Sequence, residues 1–496
     1  MDCKLSVKAS PTTWTVDDDR VEYSDADFTT IQEAINNATD GDMILVYKGT
    51  YYENVVVNKG VSLVGEDRGS TIVDGNEAGS VISITAGNVG IEGFTIKRSG
   101  IRSYNSGIFV DHADGNYISH NTITHNNLGI SLYYSSDNLI SDNTITDNSD
   151  GVSLYSSISN EASGNKITDN YDGIILYYST NNVVSRNTLI ENNYGILLFD
   201  SSKNRFFHNN FINNGQQAYA YNSVSVWDHG MEGNYWSDYT GVDLYSGPYQ
   251  NETGSDGIGD SPYIITPPNT PIGFVQFDIY PLMGNFYDLT ATLEGETYHI
   301  TTICNSTISE FRFEIGSETG NKIIRFNATG KDDTVGFCRV MIPTELMNYP
   351  YVVLIDVEEI VPTRLQPISN ETYVYLYFTY IHSSHTVTII SSKTLCLYSK
   401  LLDKYVNLNM TYHDLLKDYS LLLDNYSHLQ RSHDEMNSSY REHLSDYSKN
   451  AHNTRNLLYI FAATTAIFII TTIYLSKNAH AGKAKVFEDT QKRRTL

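Results

Sequence analysis

Two columns of side chains in this sequence could do chemistry, and both recur at intervals of 22 residues. The first is His125, Asp147, Asp169 and Glu191. If equivalent positions stack, these groups lie one above another about 4.8 Å apart. Like charges at that spacing repel. A bound cation such as calcium (Ca2+), a raised carboxylate pKa, or side chains splayed into water at a bend would each relieve them. Asp150 and Asp172, three residues on, would add oxygen ligands to a cation. The second column is aromatic: Tyr133, Tyr155, Tyr177 and Phe199. Lying one place beyond an inward residue, these rings face outward. They make either a platform for sugar rings or a cross-strand stack that stabilises the sheet.

The element that must position both columns is the stretch Gly107 to Gln216. Each unit opens with glycine, at Gly107, Gly129, Gly151, Gly173 and Gly195. Three asparagine columns keep the register: Asn116/138/160/182/204, Asn121/143/165/187/209 and Asn126/148/170/192/214. Apolar residues follow two places after the first two Asn columns, as at Ile118 and Ile123, and stand one and three places past each glycine, as at Ile130 and Leu132. A fixed period with alternation of two means a solenoid, because no single unit buries its own face. Twenty-two residues make a coil of three short strands, each paired in parallel with its successor. Inward Ile, Val and Leu form the core, and Asn ladders at the bends hydrogen-bond along the stack. The sequence thus predicts a parallel β-helix, right-handed by the crossover rule.

The repeat N-x-I-S-x-N-x-I-x-x-N resembles the NosD-type β-helix family, related to the carbohydrate-binding and sugar-hydrolase (CASH) β-helices. Thr30 to Ile35 and Gly49 to Asn54 resemble the start of such helices, and Asn234 to Tyr239 with Asp256 to Tyr263 their close. The resemblance covers about residues 14–285 and is specific for fold; that fold hosts lyases, hydrolases, binders and spacers. The family name implies copper. Copper needs clustered His, Cys or Met, and His208, His229 and Met231 make no recognisable cluster, so copper is not carried over. Asp256-Gly257-Ile258-Gly259-Asp260 resembles calcium-loop termini in relatives but lacks their dense Asp spacing. For catalysis, a lyase needs a basic Arg or Lys beside a cation, and hydrolysis needs paired carboxylates. Arg186 lies across a bend from Glu191, and His120 over Asp142 reads as a surface ion pair or a base, so no trio converges.

The remaining chain suggests an exported, anchored protein. Residues 1–13 read as the remnant of a leader, with the true start upstream, and 14–285 as the β-helix with an N-terminal helical cap over Phe28–Ala38. Seven strand-like runs between Tyr298 and Ile390 predict an immunoglobulin-like antiparallel β-sandwich over 286–396; it resembles a module of archaeal surface proteins. Cys304 and Cys338 fall within it and could form a disulfide. Residues 398–454 form a heptad stalk, with Leu401, Leu408, Leu415, Leu422 and Leu429 interleaved by Tyr405, Tyr412, Tyr419 and Tyr426. Such a seam needs a partner, so a homo-oligomeric coiled coil is expected; a helix laid on the sandwich is the alternative. Residues 457–475 carry no charge and are long enough to cross a bilayer, and the basic tail 476–496 places the C-terminus in the cytoplasm. Eight glycosylation sequons, at Asn37, Asn251, Asn305, Asn327, Asn370, Asn409, Asn425 and Asn437, all precede the span.

The formal net charge of −25 over 496 residues excludes nucleic acid as a partner. Together these features predict a cell-surface, single-pass β-helix protein presenting a carbohydrate-binding or structural ectodomain to glycans or envelope proteins. The alternative is a polysaccharide lyase or hydrolase.

Overall fold

The computed structural model describes residues 11–265, 275–391, 393–448 and 459–477. Residues 1–10 of the expected leader remnant, most of the cytoplasmic tail and the first two residues of the expected span lie outside them, whereas Thr13 already pairs with Met43 in the first strand. Two compact units divide the chain, Met1–Tyr398 and Ser399–Leu496.

In the first unit the 22-residue register produces three parallel sheets of nine, eight and nine strands. Ile118, Ile140, Ala162, Val184 and Phe206 pair in sequence along one sheet. Ile123, Ile145, Ile167, Leu189, Phe211 and Trp236 pair along another. The third carries Ile108, Ile130, Val152, Ile174, Ile196 and Ala218. All of these side chains are buried in one continuous core. Helix α1 (Ile31–Asn37), capped by Thr30 accepting from the Glu33 amide, seats Ile31, Ala34 and Ile35 on that core and covers its end. The stack continues past Gln216: Gln216–Tyr221 and Tyr235–Trp236 still add strands.

The asparagine columns are buried, and they hold the corners. Asn165 Oδ1 accepts from both the backbone N and the Nδ2 of Asn143, each at 3.0 Å, and Asn165 Nδ2 reaches the Ile140 carbonyl at 2.9 Å. The same pattern recurs from coil to coil, so each amide satisfies backbone groups that a bend would otherwise orphan. A fourth ladder, Ser135, Ser157, Ser179, Ser201 and Ser223, does likewise through hydroxyls, as in Ser157 N to Ser179 Oγ at 3.0 Å. The sequence reading missed it.

Beyond the solenoid, two five-stranded antiparallel sheets pack face to face around Ile300, Val340, Leu376, Ile324, Val387 and Ile389. The strand Asn285–Leu293, absent from the seven expected runs, pairs with Glu296–Cys304.

In the second unit, most of α2 (Lys393–Ser448) leaves its Leu and Tyr seam exposed, Leu408 at 69%. Helix α3 (Tyr459–Lys477) is long and apolar enough to cross a membrane, with mean hydropathy 1.7. Its Phe468 and Phe461 rings lie 4.3 and 5.0 Å from His433 and Tyr440 of α2.

Candidate functional site

On the third sheet, the strand Asp150–Tyr155 buries Val152 and Leu154 and turns Tyr155 outward, as period-two alternation requires. Tyr133, Tyr155, Tyr177 and Phe199 are therefore ladder partners, and Tyr221 extends them. Successive ring centroids from Tyr133 to Phe199 are 5.2, 6.5 and 5.1 Å apart, the first and last pairs stacked. Tyr134 and Tyr178, 47% and 56% exposed, set their rings edge-on to Tyr155 at 5.9 and 5.8 Å. Their backbones adopt positive φ at the corner, which swings each side chain to the rail's outer edge. The second pair of tyrosines was not singled out in the sequence, although each directly follows a rail residue. The result is an aromatic rail along the stack, with ring edges and hydroxyls toward solvent.

At the other end of the same strands, Asp150 and Asp172 are ladder partners. Asp172 is only 8% exposed, and its buried Oδ1 has no hydrogen-bond partner among the described residues. Burial pushes both carboxyls up to about 6, and the charge of Asp172 adds to the effect on Asp150. The Tyr177 hydroxyl is likewise raised, chiefly by burial and then by these two charges. Asp150 and Asp172 thus form a pair of their own, where the sequence placed them as auxiliary ligands of the first column.

That first column occupies left-handed corners: His125, Asp147, Asp169 and Glu191 have φ of 55°, 57°, 57° and 54°. All four are exposed. Asp147 and Asp169 accept from the threonine preceding each, Thr146 at 3.0 Å and Thr168 at 2.8 Å, and His125 pairs with Thr124. Their hydrogen bonds run within each coil. Among the described residues, the acidic group whose ligand atoms converge within 4.8 Å is elsewhere, at Asp17, Asp18, Asp19 and Glu22. There Asp17, Asp18 and Asp19 already accept from backbone amides, and Glu22 meets Lys48 at 3.7 Å. His120 and Asp142 form no ion pair among the described residues.

The histidines do not fit a copper centre. His208 stacks on Phe286 at 4.0 Å and binds Glu232 through Nε2 at 3.0 Å. His229 stacks on Phe207, and Met231 is 40% exposed. His208 is thereby committed to an oxygen partner and an aromatic face, where copper needs its imidazole nitrogen.

The closing motif fastens the solenoid to the sandwich. Asn234 ends the second Asn ladder, Trp236 stacks on Phe211 at 4.2 Å, and the buried Asp278 accepts from Trp236 Nε1 and the Asn234 amide. Burial still pushes the Asp278 carboxyl up to about 7. Arg339 of the sandwich pairs with Glu232 at 2.8 Å and Asp256 at 3.3 Å, all three buried. Asp256 therefore serves docking. The two sulfur atoms of Cys304 and Cys338, directly opposite across paired strands, lie 3.0 Å apart as thiols. Of the sequon asparagines, Asn37, Asn251, Asn305, Asn370, Asn409 and Asn425 are exposed, and Asn327 and Asn437 half-buried.

A family model described as "Periplasmic copper-binding protein (NosD)" matches residues 35–241. A cell surface glycoprotein of Methanothermus fervidus is 41% identical over 99 residues, 19% of this chain and 16% of that protein. The chain thus spans about a sixth of that relative's length. Among solved structures, alginate lyase from Paenibacillus sp. str. FPU-7 has 14% identity and a TM-score of 0.28 over 39% of this chain and 92% of that one. ORF18 of Geobacillus virus E2 has 14% identity and a TM-score of 0.30 over 73% and 74%. Scores this low leave the chemistry unassigned. With its 22-residue register, its Asn-bonded corners and the match over 35–241, the solenoid of this chain is similar to the NosD family and fits a NosD-type parallel β-helix.

Proposed function

We propose that this is a cell-surface protein whose β-helix binds glycans along its aromatic rail. The observation that carries the reading is the ladder Tyr133, Tyr155, Tyr177 and Phe199, widened by the exposed Tyr134 and Tyr178. Rings stacked at this spacing offer their edges to pyranose rings, and the tyrosine hydroxyls offer hydrogen bonds. Helix α3 anchors the chain, with the β-helix outside and the basic C-terminus in the cytoplasm. The exposed seam of α2 packs against the same seam of further copies in a homo-oligomer, because Leu and Tyr at heptad positions gain little from water. The sequons carry glycans, and the similarity to a cell surface glycoprotein supports that placement.

The full chain in detergent, applied to a glycan array, tests the reading. Retention of a defined set of glycans is expected. Universal non-retention would reduce the β-helix to a spacer. Release of unsaturated or reducing ends from an acidic polysaccharide would assign it to the lyases or hydrolases instead.

A further inference from the structure

A second cleft lies where the solenoid meets the sandwich, away from the rail. Its solenoid wall is the middle of one corner column, Asp142, Gly164 and Arg186, which His120 and His208 continue at the coils on either side. All five take the same left-handed backbone, with φ between 56° and 68°. Four of them show that L side chains are accepted at this corner, so the glycine is not required for its φ. What Gly164 supplies is space. A Cβ there would stand 2.6 Å from Asp142 Oδ1, so the missing side chain leaves the room that the Asp142 carboxylate occupies, one coil from the Arg186 guanidinium.

The opposite wall comes from the sandwich strands Asn285–Leu293 and Glu296–Cys304. They bring Asp288 and His299 to the cleft, which is half-open and has a volume of about 430 Å³. Asp288 holds its neighbours in place: Oδ2 takes Arg186 at 3.0 Å and Oδ1 takes His299 Nδ1 at 2.9 Å. With Nδ1 engaged, Nε2 of His299 is the ring atom left for a ligand. The Asp142 carboxylate has no hydrogen-bond partner among the described residues.

We infer that this cleft binds one uncharged sugar unit of a glycan, held between Asp142, Arg186 and His299. Its size and its place between two packed parts of the chain suit a small-molecule site. It presents an acceptor, a donor, an imidazole and the hydroxyls of Ser163 and Thr290, a mixture that matches a polyol. Its charge selects against acidic sugars. Asp142, Glu161 and Asp288 surround a single guanidinium that is already paired with the last two. A uronate would meet more repulsion than attraction. The choice of ligand class rests on the proposed glycan-binding function; the site itself is distinct from the rail.

The test uses the full chain in detergent and isothermal titration with neutral hexasaccharides of glucose, mannose and N-acetylglucosamine, beside an oligogalacturonate. Gly164→Asn puts a side chain, of a type the corner backbone accepts, where the Asp142 carboxylate lies and so displaces it, and Asp142→Ala removes the acceptor without filling anything. Tyr155→Ala reports on the rail. A neutral hexasaccharide should bind, and both cleft variants should raise its Kd about tenfold or more with unchanged melting. If both cleft variants leave every neutral Kd within about twofold, or only the oligogalacturonate binds, the cleft inference is overturned. Loss of binding in Tyr155→Ala alone keeps the rail and rejects the cleft; loss in the cleft variants alone does the reverse. Absence of binding by any sugar rejects both.

Discussion

Replacing Asp172 by Asn should stabilise the protein at neutral pH and not at pH 4. Asp172 is 8% exposed, stacks in register with Asp150, and carries an Oδ1 with no partner. Burial holds its carboxyl at about 6, against an ordinary value of 3.8. The sign follows from proton binding. Between those values the folded state holds a proton that the unfolded state has released, so raising the pH favours unfolding. Stability is therefore greatest below about pH 4, declines as pH rises through 6, and stays low above it. Roughly two pK units at 1.36 kcal/mol each set a ceiling of about 3 kcal/mol for this group. The partial exposure of Asp150 and the coupling of the pair bring the expected gain for Asp172→Asn to about 1–2 kcal/mol at pH 7.5. A long solenoid does not unfold in one step, so the gain is best read locally. Native-state hydrogen exchange of the third-sheet amides around Asp172, at pH 4.5 and 7.5, is the assay. Slower opening in the variant at 7.5 only is the expected result. Equal destabilisation at both pH values would refute the reasoning, because it would mean the carboxylate is satisfied when charged. If millimolar calcium slows opening in the wild type but not in the variant, a cation supplies the missing charge.

Other perturbations probe the frame. Asn165→Ala removes the acceptor of two Asn143 bonds and the donor to the Ile140 carbonyl, and should cost about 2–4 kcal/mol in the flanking coils by hydrogen exchange. Arg339→Met strands the buried Glu232 and Asp256 and should cost about 3–5 kcal/mol, seen calorimetrically as earlier melting. Glu232 itself is held down at about 2, mostly by Arg339 and His208 working against burial. Its contribution is fully present above the ordinary carboxylate range and is lost as pH falls toward 2. Cys304 and Cys338 should close a disulfide under oxidising isolation, read as protection from thiol alkylation until reductant is added. Full protection from the outset in reductant, or labelling without it, would contradict this.

The solenoid was legible because its corners demand the same residue at the same place in every coil. Fifteen asparagines at 22-residue spacing left little choice of register, and Asn143 over Asn165 is the observed neighbour relation. The serine ladder carried the same period but escaped notice, since serine is common in coils and loops alike. The rail followed from alternation alone. The cleft did not: Arg186 and Asp288 are 102 residues apart, and nothing in local spacing links a solenoid corner to a sandwich strand. For the same reason Asp256 read only as part of a calcium-loop-like segment and Glu232 was not singled out, although Arg339 of the sandwich pairs with both. Acidic columns were the least legible feature. Sequence gives the vertical spacing of Asp147 and Asp169, but whether they face each other or fold back onto Thr146 and Thr168 is decided by rotamers at the corner. The strand Asn285–Leu293 was hidden because its half-buried, mixed polar pattern lacks a continuous apolar run.

The central claim is that rings stacked by the coil register make a sugar-binding face. Measuring the Kd of the best array ligand against the Tyr155→Ala/Tyr177→Ala double variant tests it most directly. Each lost ring contact is worth about 0.5–1.5 kcal/mol, so weakening by about tenfold or more is predicted, with the fold intact by circular dichroism. An unchanged Kd would leave the rail as a structural stack and contradict the proposed function.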